Sequence, residues 1–139
     1  MTLSTAIFWP MIAHVLLVMM LYVLLSIRRR AAVMQGRARV SQFRENQVEP
    51  EDSLFVRNSI DNQFELPVLF HVACIALYVT GHATLLPVLL AWTFVASRYV
   101  HAFVHVTSNR IRYRRPLFMA GFALNFALWL WLAINLAVN

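Results

Sequence analysis

The fold is decided by residues 3–30, which read LSTAIFWPMIAHVLLVMMLYVLLSIRRR. The first 25 of these residues carry no charge, and three consecutive arginines follow them. A helix rises about 1.5 Å per residue, so this run is long enough to cross a hydrocarbon core of about 30 Å. The basic cluster follows the apolar run, whereas in a cleaved signal peptide it comes first. We therefore predict a retained transmembrane helix over residues 3–27.

Three further apolar runs predict helices over about residues 62–80, 84–106 and 117–138. Of the 139 residues, 60% are hydrophobic and 13% are charged, whereas soluble proteins carry about 25% charged residues. A backbone that enters lipid must satisfy its hydrogen bonds internally, so each run should be an α-helix. The sequence predicts an all-α integral membrane protein, with residues 1–139 forming one four-helix bundle and a long connection at about 28–60.

Charged residues lie only in the first and third connections between the predicted helices and in the helix segments that adjoin them. All twelve basic residues are arginines, of which seven lie between the first two helices and five between Arg98 and the fourth helix. The positive-inside rule places both basic connections in the cytoplasm and both termini on the non-cytoplasmic side. The net charge of +6 is then a sign of topology, and we expect no nucleic-acid partner. A bacterial inner membrane, or an equivalent internal membrane, is the expected location, with membrane lipids as partners.

A first polar cluster lies where the second helix enters the membrane, in residues 57–67. Asn62 and Glu65 are three residues apart and therefore share a helix face, with Asp61 beside it. An ionised carboxylate at the hydrocarbon boundary is costly unless it is paired, which favours a binding site. Capping of a helix N-terminus by the same residue types explains the pattern equally well.

A second polar cluster extends the third helix. If that helix continues, Arg98, His101, His105, Asn109 and Arg112 fall at steps of three or four and form one polar stripe. A stripe at membrane depth should face a partner helix or a wet cavity, and arginines suit an anion. A basic flank that reaches the lipid headgroups explains residues 110–115, but it does not explain three polar side chains on one apolar face.

No metal site is expected from the sequence. The single cysteine, Cys74, excludes both an intrachain disulfide and a cysteine-based cluster. The histidines show no HExxH or similar metal-ligand spacing. His14 and His71 are interpreted as polar packing within the bundle.

Together these motifs resemble the MAPEG family (membrane-associated proteins in eicosanoid and glutathione metabolism). The stretch Asn62-x-x-Glu65 followed by Leu-Pro-x-Leu-Phe is similar to the second-helix motif of that family. The Arg98-x-x-His101-x-x-x-His105 stripe, with arginines before Pro116, resembles its third helix. The chain length, the four helices and the long first connection agree, so the resemblance covers nearly the whole chain.

The resemblance implies a homotrimer that binds glutathione between neighbouring subunits near the cytosolic face. The implied activity is that of a glutathione transferase or peroxidase acting on lipophilic small molecules through an arginine-stabilised thiolate. The stabilising residue would be Arg112 or Arg114, with Arg112 preferred. The implied glutathione-binding residues, with one of the arginines at 28–30 as a further carboxylate partner, are Arg57, Asn62, Glu65, Arg98, His101 and His105.

The chain departs from the family pattern at two places. Family members that act on glutathione often have tyrosine at the positions of His105 and, in some cases, His101, and arginine at the position of Asn58. The resemblance therefore leaves an alternative function, a non-catalytic lipid-binding or scaffold protein of the same fold. A transporter of cationic drugs is disfavoured, because the first helix holds no acidic residue and an arginine stripe repels cations.

Overall fold

The computed structural model describes residues 3–44 and 48–138, and within those ranges it contains no strand. A 3₁₀ turn, Leu3–Ile7, precedes the α-helices. These are α1 (Phe8–Met34), α2 (Val40–Arg44), α3 (Glu51–Asp61), α4 (Leu66–Val79), α5 (Leu85–Val106) and α6 (Ile111–Val138). Within the described ranges, four stretches are long and apolar enough to span a membrane: Thr5–Met34, Glu51–Val79, Leu85–Val106 and Ile111–Val138. The predicted all-α class with four transmembrane helices is confirmed.

The helices reach further than the sequence predicts towards the arginine-rich end of the bundle, which we call the charged end. α1 continues through the three arginines to Met34, and α3 already begins at Glu51, inside the connection predicted at 28–60. Part of that connection, residues 45–47, lies outside the described residues. α6 begins at Ile111 and carries Pro116 inside it. The missing N–H of Pro116 removes one intrahelical hydrogen bond, and the helix continues past it.

The closest helix pair is α5 and α6, which the short connection 107–110 joins. Asn109 in this connection has a positive φ of 47°, a conformation that asparagine tolerates better than most residues. Its N–H donates to the carbonyl of Val104 at 2.8 Å and so closes the end of α5. By contrast, α4 packs more extensively on α6 than on α5, although residues 80–84 link it directly to α5.

The core consists of two apolar clusters with a polar layer between them. The cluster farther from the charged end is built around Phe70 and Phe94, whose rings stack at 4.4 Å. The second cluster lies nearer that end and contains buried side chains of α1, α3 and α5: Leu17, Leu21, Leu25, Val56, Ile60, Ala102 and Val106. Four buried polar residues lie between members of the two clusters in the sequence, namely His14, Gln63, Arg98 and His101. Helices in lipid associate by such packing and hydrogen bonding, because lipid tails are as apolar as leucine.

A buried carboxylate ties α1 to α3 at the charged end, in a group that we call the Glu49 clasp. Arg29 donates two hydrogen bonds of 3.0 Å to the Glu49 carboxylate, and Arg57 Nη1 lies 3.2 Å from it. Ser53 Oγ donates a further bond of 2.9 Å. Burial alone would raise the pKa of Glu49, but the hydrogen bonds from Arg29 and Ser53 and the two positive charges hold this pKa below its ordinary value.

Candidate functional site

The turn at residues 62–65, between α3 and α4, sends its side chains to two sides of the bundle. Asn62 and Glu65 line a cavity of about 450 Å³ that α5 and α6 complete. Gln63 and Phe64 line a separate groove beside α1. Because α3 ends at Asp61 and α4 starts at Leu66, the two lining residues lie at a break in the span, not on one continuous helix face. Glu65 precedes α4, and its side chain makes no capping hydrogen bond.

One face of α6 supplies the opposite wall of this cavity, which we call the α6 cavity. Its lining residues occupy positions i, i+3, i+4 and i+7 of the helix, as Ile111, Arg114, Arg115 and Phe118. Residues at that spacing project from the same side of a helix. The wall therefore combines two positive charges with two apolar surfaces.

Arg114 is held towards the cavity by the connection that precedes its helix. Its Nη1 donates to Asn109 Oδ1 at 2.8 Å. The same Asn109 closes the end of α5 with its backbone N–H. Asn109, whose φ is positive, thus both ends α5 and orients Arg114 of α6.

His101 completes the lining from α5, and its ring orientation follows from its neighbour. Arg98 Nη2 lies 3.3 Å from His101 Nδ1. A guanidinium group only donates hydrogen bonds, so Nδ1 must be the acceptor. A neutral His101 ring then carries its proton on Nε2, as a donor for a ligand in the α6 cavity.

Among the described residues, several buried polar atoms of α5 and α6 have no hydrogen-bond partner. The atoms concerned are Arg98 Nε and Nη1, both ring nitrogens of His105, and Asn125 Oδ1. Arg98 and His105 are fully buried, at 0% exposure. Such groups are rare in native proteins because each one costs free energy, so they are candidates for contacts to a ligand.

A glycine of α6 lies directly against this arginine. A Cβ placed at Gly121 would lie 3.5 Å from Ser97 Oγ and 3.8 Å from Arg98 Nη1. These are ordinary van der Waals distances, so α6 packs closely on the buried guanidinium at this position.

Among the residues that the sequence singled out, Asn62, Glu65, His101 and Arg114 meet at the α6 cavity. Arg98 contacts His101 but does not itself line the cavity. His105 is buried one helical turn further along α5. Arg57 is paired with Glu49 in the clasp. Arg112 is exposed and does not line the α6 cavity.

The arginines at 28–30 are divided between packing and the surface. Arg28 donates to the backbone carbonyls of Asp52 and Val106, and Arg30 is exposed. Arg28 also lines an open hollow of about 610 Å³ at the charged end. The other arginine of that hollow, Arg37, already pairs with Asp52 at 3.2 Å, so its positive charge is already compensated.

Sequence reasoning missed three residues of the cavity wall, namely Ile111, Arg115 and Phe118. Their spacing was visible, but the predicted last helix starts at residue 117, where the uncharged run begins. The basic residues before it were therefore assigned to a connection, where no common face can be read.

Comparison with known proteins identifies the family. The sequence model of the MAPEG family matches residues 6–134, nearly the whole chain. The chain belongs to the MAPEG family. This family includes glutathione transferases and related non-catalytic members. Membership and the four apolar helices make this MAPEG protein an integral, multi-pass membrane protein. No curated protein and no solved structure matches it.

Proposed function

We propose that this MAPEG protein is a glutathione-dependent membrane transferase or peroxidase that acts on lipophilic electrophiles. The observation that carries the proposal is the α6 cavity, in which Arg114 and Arg115 lie opposite Glu65. Its volume of about 450 Å³ falls within the range of about 300–1,000 Å³ that is usual for small-molecule sites.

The charges of the α6 cavity match those of glutathione. The tripeptide carries two carboxylates and one ammonium group, and arginine side chains bind carboxylates with paired, charge-assisted hydrogen bonds. Arg115 would hold a carboxylate and Glu65 would accept from the ammonium group, which leaves Arg114 for the thiol. Asn62 and the Nε2–H of His101 add neutral polar contacts. Arg98 would act behind His101, as its positioning residue and as a buried positive charge.

In the proposed reaction, an arginine stabilises the glutathione thiolate. A nearby positive charge lowers the pKa of a thiol and so raises the fraction present as the nucleophile. The sulfur then forms a bond to an electrophilic carbon, and the leaving group departs with its electron pair. With a hydroperoxide, the thiolate attacks the terminal oxygen, the O–O bond breaks, and the alcohol leaves after it takes up a proton. A second glutathione then attacks the sulfur of the resulting sulfenic acid, which gives the disulfide and releases water. We assign the stabilising role to Arg114, because it lines the cavity and Arg112 does not.

We further propose that the protein acts as a homotrimer whose charged end faces the cytosol. Glu65 is exposed in the single chain and lies within the span Glu51–Val79, and a carboxylate inside a span is costly unless it is covered or paired. A neighbouring subunit against the α6 cavity would cover it, as the family resemblance implies. Native mass spectrometry of the detergent complex should then show three copies of the chain.

Calorimetric titration of glutathione into the detergent-purified protein tests the binding step. We expect saturable binding that Glu65→Gln and Arg114→Gln each weaken at least tenfold, as for loss of a charged hydrogen bond of about 1.5–3 kcal/mol. Arg110→Gln is the matched control, because Arg110 is exposed in the same basic segment and lies outside the cavity lining. Undetectable binding in folded protein would leave the non-catalytic, lipid-binding alternative.

The catalytic assignment is tested separately, with glutathione and a chloronitrobenzene under saturating conditions. Arg114→Gln should lower kcat, and the ultraviolet absorbance of bound thiolate should fall with it. Arg112→Gln should leave both quantities unchanged. The reverse pattern would transfer the stabilising role to Arg112.

A further inference from the structure

A second cavity, on the other side of the 62–65 turn, has a polar floor in an apolar setting. This groove between α1 and α4 has a volume of about 310 Å³. Apolar side chains, including Val15, Met19 and Val68, form its walls, and His71 lies at its edge. We call it the His71 groove. The α6 cavity has none of these residues in its lining.

The floor of the His71 groove is a chain of hydrogen bonds with a defined direction. Gln63 Nε2 donates to the carbonyl of Ser59 at 2.9 Å, so the other end of that amide, Oε1, is an acceptor. His14 Nε2 lies 3.2 Å from Gln63 Oε1 and must therefore carry a proton. His14 Nδ1 lies 3.0 Å from His71 Nε2.

The tautomer of His71 follows from this direction. Charge is expensive at membrane depth, so both rings are neutral and His14 Nδ1 is an acceptor. His71 Nε2 then donates its proton to His14, which leaves His71 Nδ1 with a lone pair. No side chain or backbone group of the described residues bonds to that nitrogen. The hydrogen-bond chain therefore ends on an acceptor of His71, a residue that lines the groove.

The depth of this hydrogen-bond chain in the bilayer limits which molecules can reach the acceptor on His71. His14 lies fourteen residues before Arg28, which corresponds to about 21 Å of helix. Water is scarce at that depth, and an unpaired polar group gains most from a partner there. Within the described residues no third metal-ligating side chain joins the two histidines.

We propose that the His71 groove binds a lipophilic alcohol or phenol that enters from the bilayer. Its hydroxyl donates to His71 Nδ1, and its apolar body packs against Val15, Met19 and Val68. The direction of the hydrogen-bond chain selects a donor, so an ether of the same shape lacks the decisive contact. This site is independent of glutathione and of the proposed transferase activity.

Thymol and thymol methyl ether form a matched pair of probes, because they differ only in that a methyl group replaces the hydroxyl hydrogen. Each is titrated, without glutathione, into detergent-purified protein that carries ¹⁵N-labelled histidine. We expect thymol to bind about fivefold more tightly than the ether, as for one neutral hydrogen bond. Thymol should also shift one unprotonated Nδ1 resonance, which is absent in His71→Phe.

Variants assign the effect to the groove. His71→Phe should bind both probes equally, whereas Val72→Ala, a neighbouring substitution outside the groove lining, should keep the fivefold preference. Equal affinity of the two probes for the wild-type protein would overturn the proposal, as would a proton on the Nδ1 of His71. A shift that appears only after the complex dissociates would show that another copy of the chain covers the groove, and would also overturn it. If His71→Phe fails to fold, the wild-type comparison still decides.

Discussion

The Glu49 clasp and the Arg98 region are both buried and charged, yet their bonding differs. Glu49 has two arginines and a serine on its carboxylate, so every buried oxygen has a donor. Arg98 has one contact, to His101, and two of its nitrogens have none. A charge with a complete set of partners is explained by the fold alone. A buried charge whose partners are missing points to a ligand or to water.

The variant Arg98→Met should show the largest effect, which is a loss of glutathione binding. Arg98→Met removes the buried charge and the group that orients His101, while it keeps an unbranched apolar side chain. We expect the affinity for glutathione to fall at least tenfold. The melting temperature should not fall, because replacing an incompletely paired buried charge by an apolar residue is often neutral or stabilising. Calorimetry and thermal unfolding check the two parts, and a fall in both would show that Arg98 holds the fold together.

Glu49→Gln should have the opposite pattern, with a loss of stability and little change in glutathione binding. The substitution leaves Arg29 and Arg57 without their counter-charge, at a cost of about 2 kcal/mol for the lost charged hydrogen bonds. The arginines are 28% and 36% exposed, and solvent screening keeps the cost below the 3–5 kcal/mol typical of a fully buried pair. The melting temperature should fall while glutathione affinity changes less than twofold. Weakened binding in this variant would connect the clasp to the site.

Acid should weaken the clasp in the same way as the substitution. The pKa of Glu49 is lowered in the folded protein, so its stabilising contribution is complete above the ordinary value of 4.5 and is lost as the pH falls through the lower folded value. Melting curves from neutral pH to about pH 3 should converge for the wild type and Glu49→Gln. Parallel curves would mean that Glu49 contributes no pH-dependent stability.

Much of the fold, and less of the site, can be predicted from the sequence. Hydropathy is a property of long runs, so it identified the four spans. The steps from Arg98 to His105 identified three buried residues on one face, because α5 is regular up to Val106. Asn109 and Arg112 fall outside that stripe, since the helix ends before them.

Contacts between distant segments were not predictable. Arg57 appeared suited to a ligand, but the chain brings Glu49 to it across the connection. The residues of the 62–65 turn were assigned to one helix, whereas the break sends Gln63 and Asn62 to different cavities. The polar partners of His14, which lie far away in the sequence, could not be inferred from local spacing.

The smallest expected effect concerns the helix contact beside Arg98. At Gly121 an added methyl group would meet ordinary contact distances of 3.5 Å and more. Gly121→Ala should therefore fit, and it should stabilise the helix by about 0.5–1 kcal/mol. Glutathione affinity should change less than twofold. A clear loss of stability in thermal unfolding would show that the two helices lie closer together than this geometry indicates.

We propose that the Arg98 region and the α6 cavity bind a ligand, whereas the Glu49 clasp stabilises the fold. The most direct test is the shift in melting temperature that glutathione causes in the wild type, Arg98→Met and Glu49→Gln. A ligand that binds only the folded state raises the melting temperature by an amount that grows with the logarithm of its concentration relative to Kd. We predict a shift in the wild type, an equal shift in Glu49→Gln from a lower starting point, and a clearly smaller shift in Arg98→Met. An undiminished shift in Arg98→Met would contradict the account.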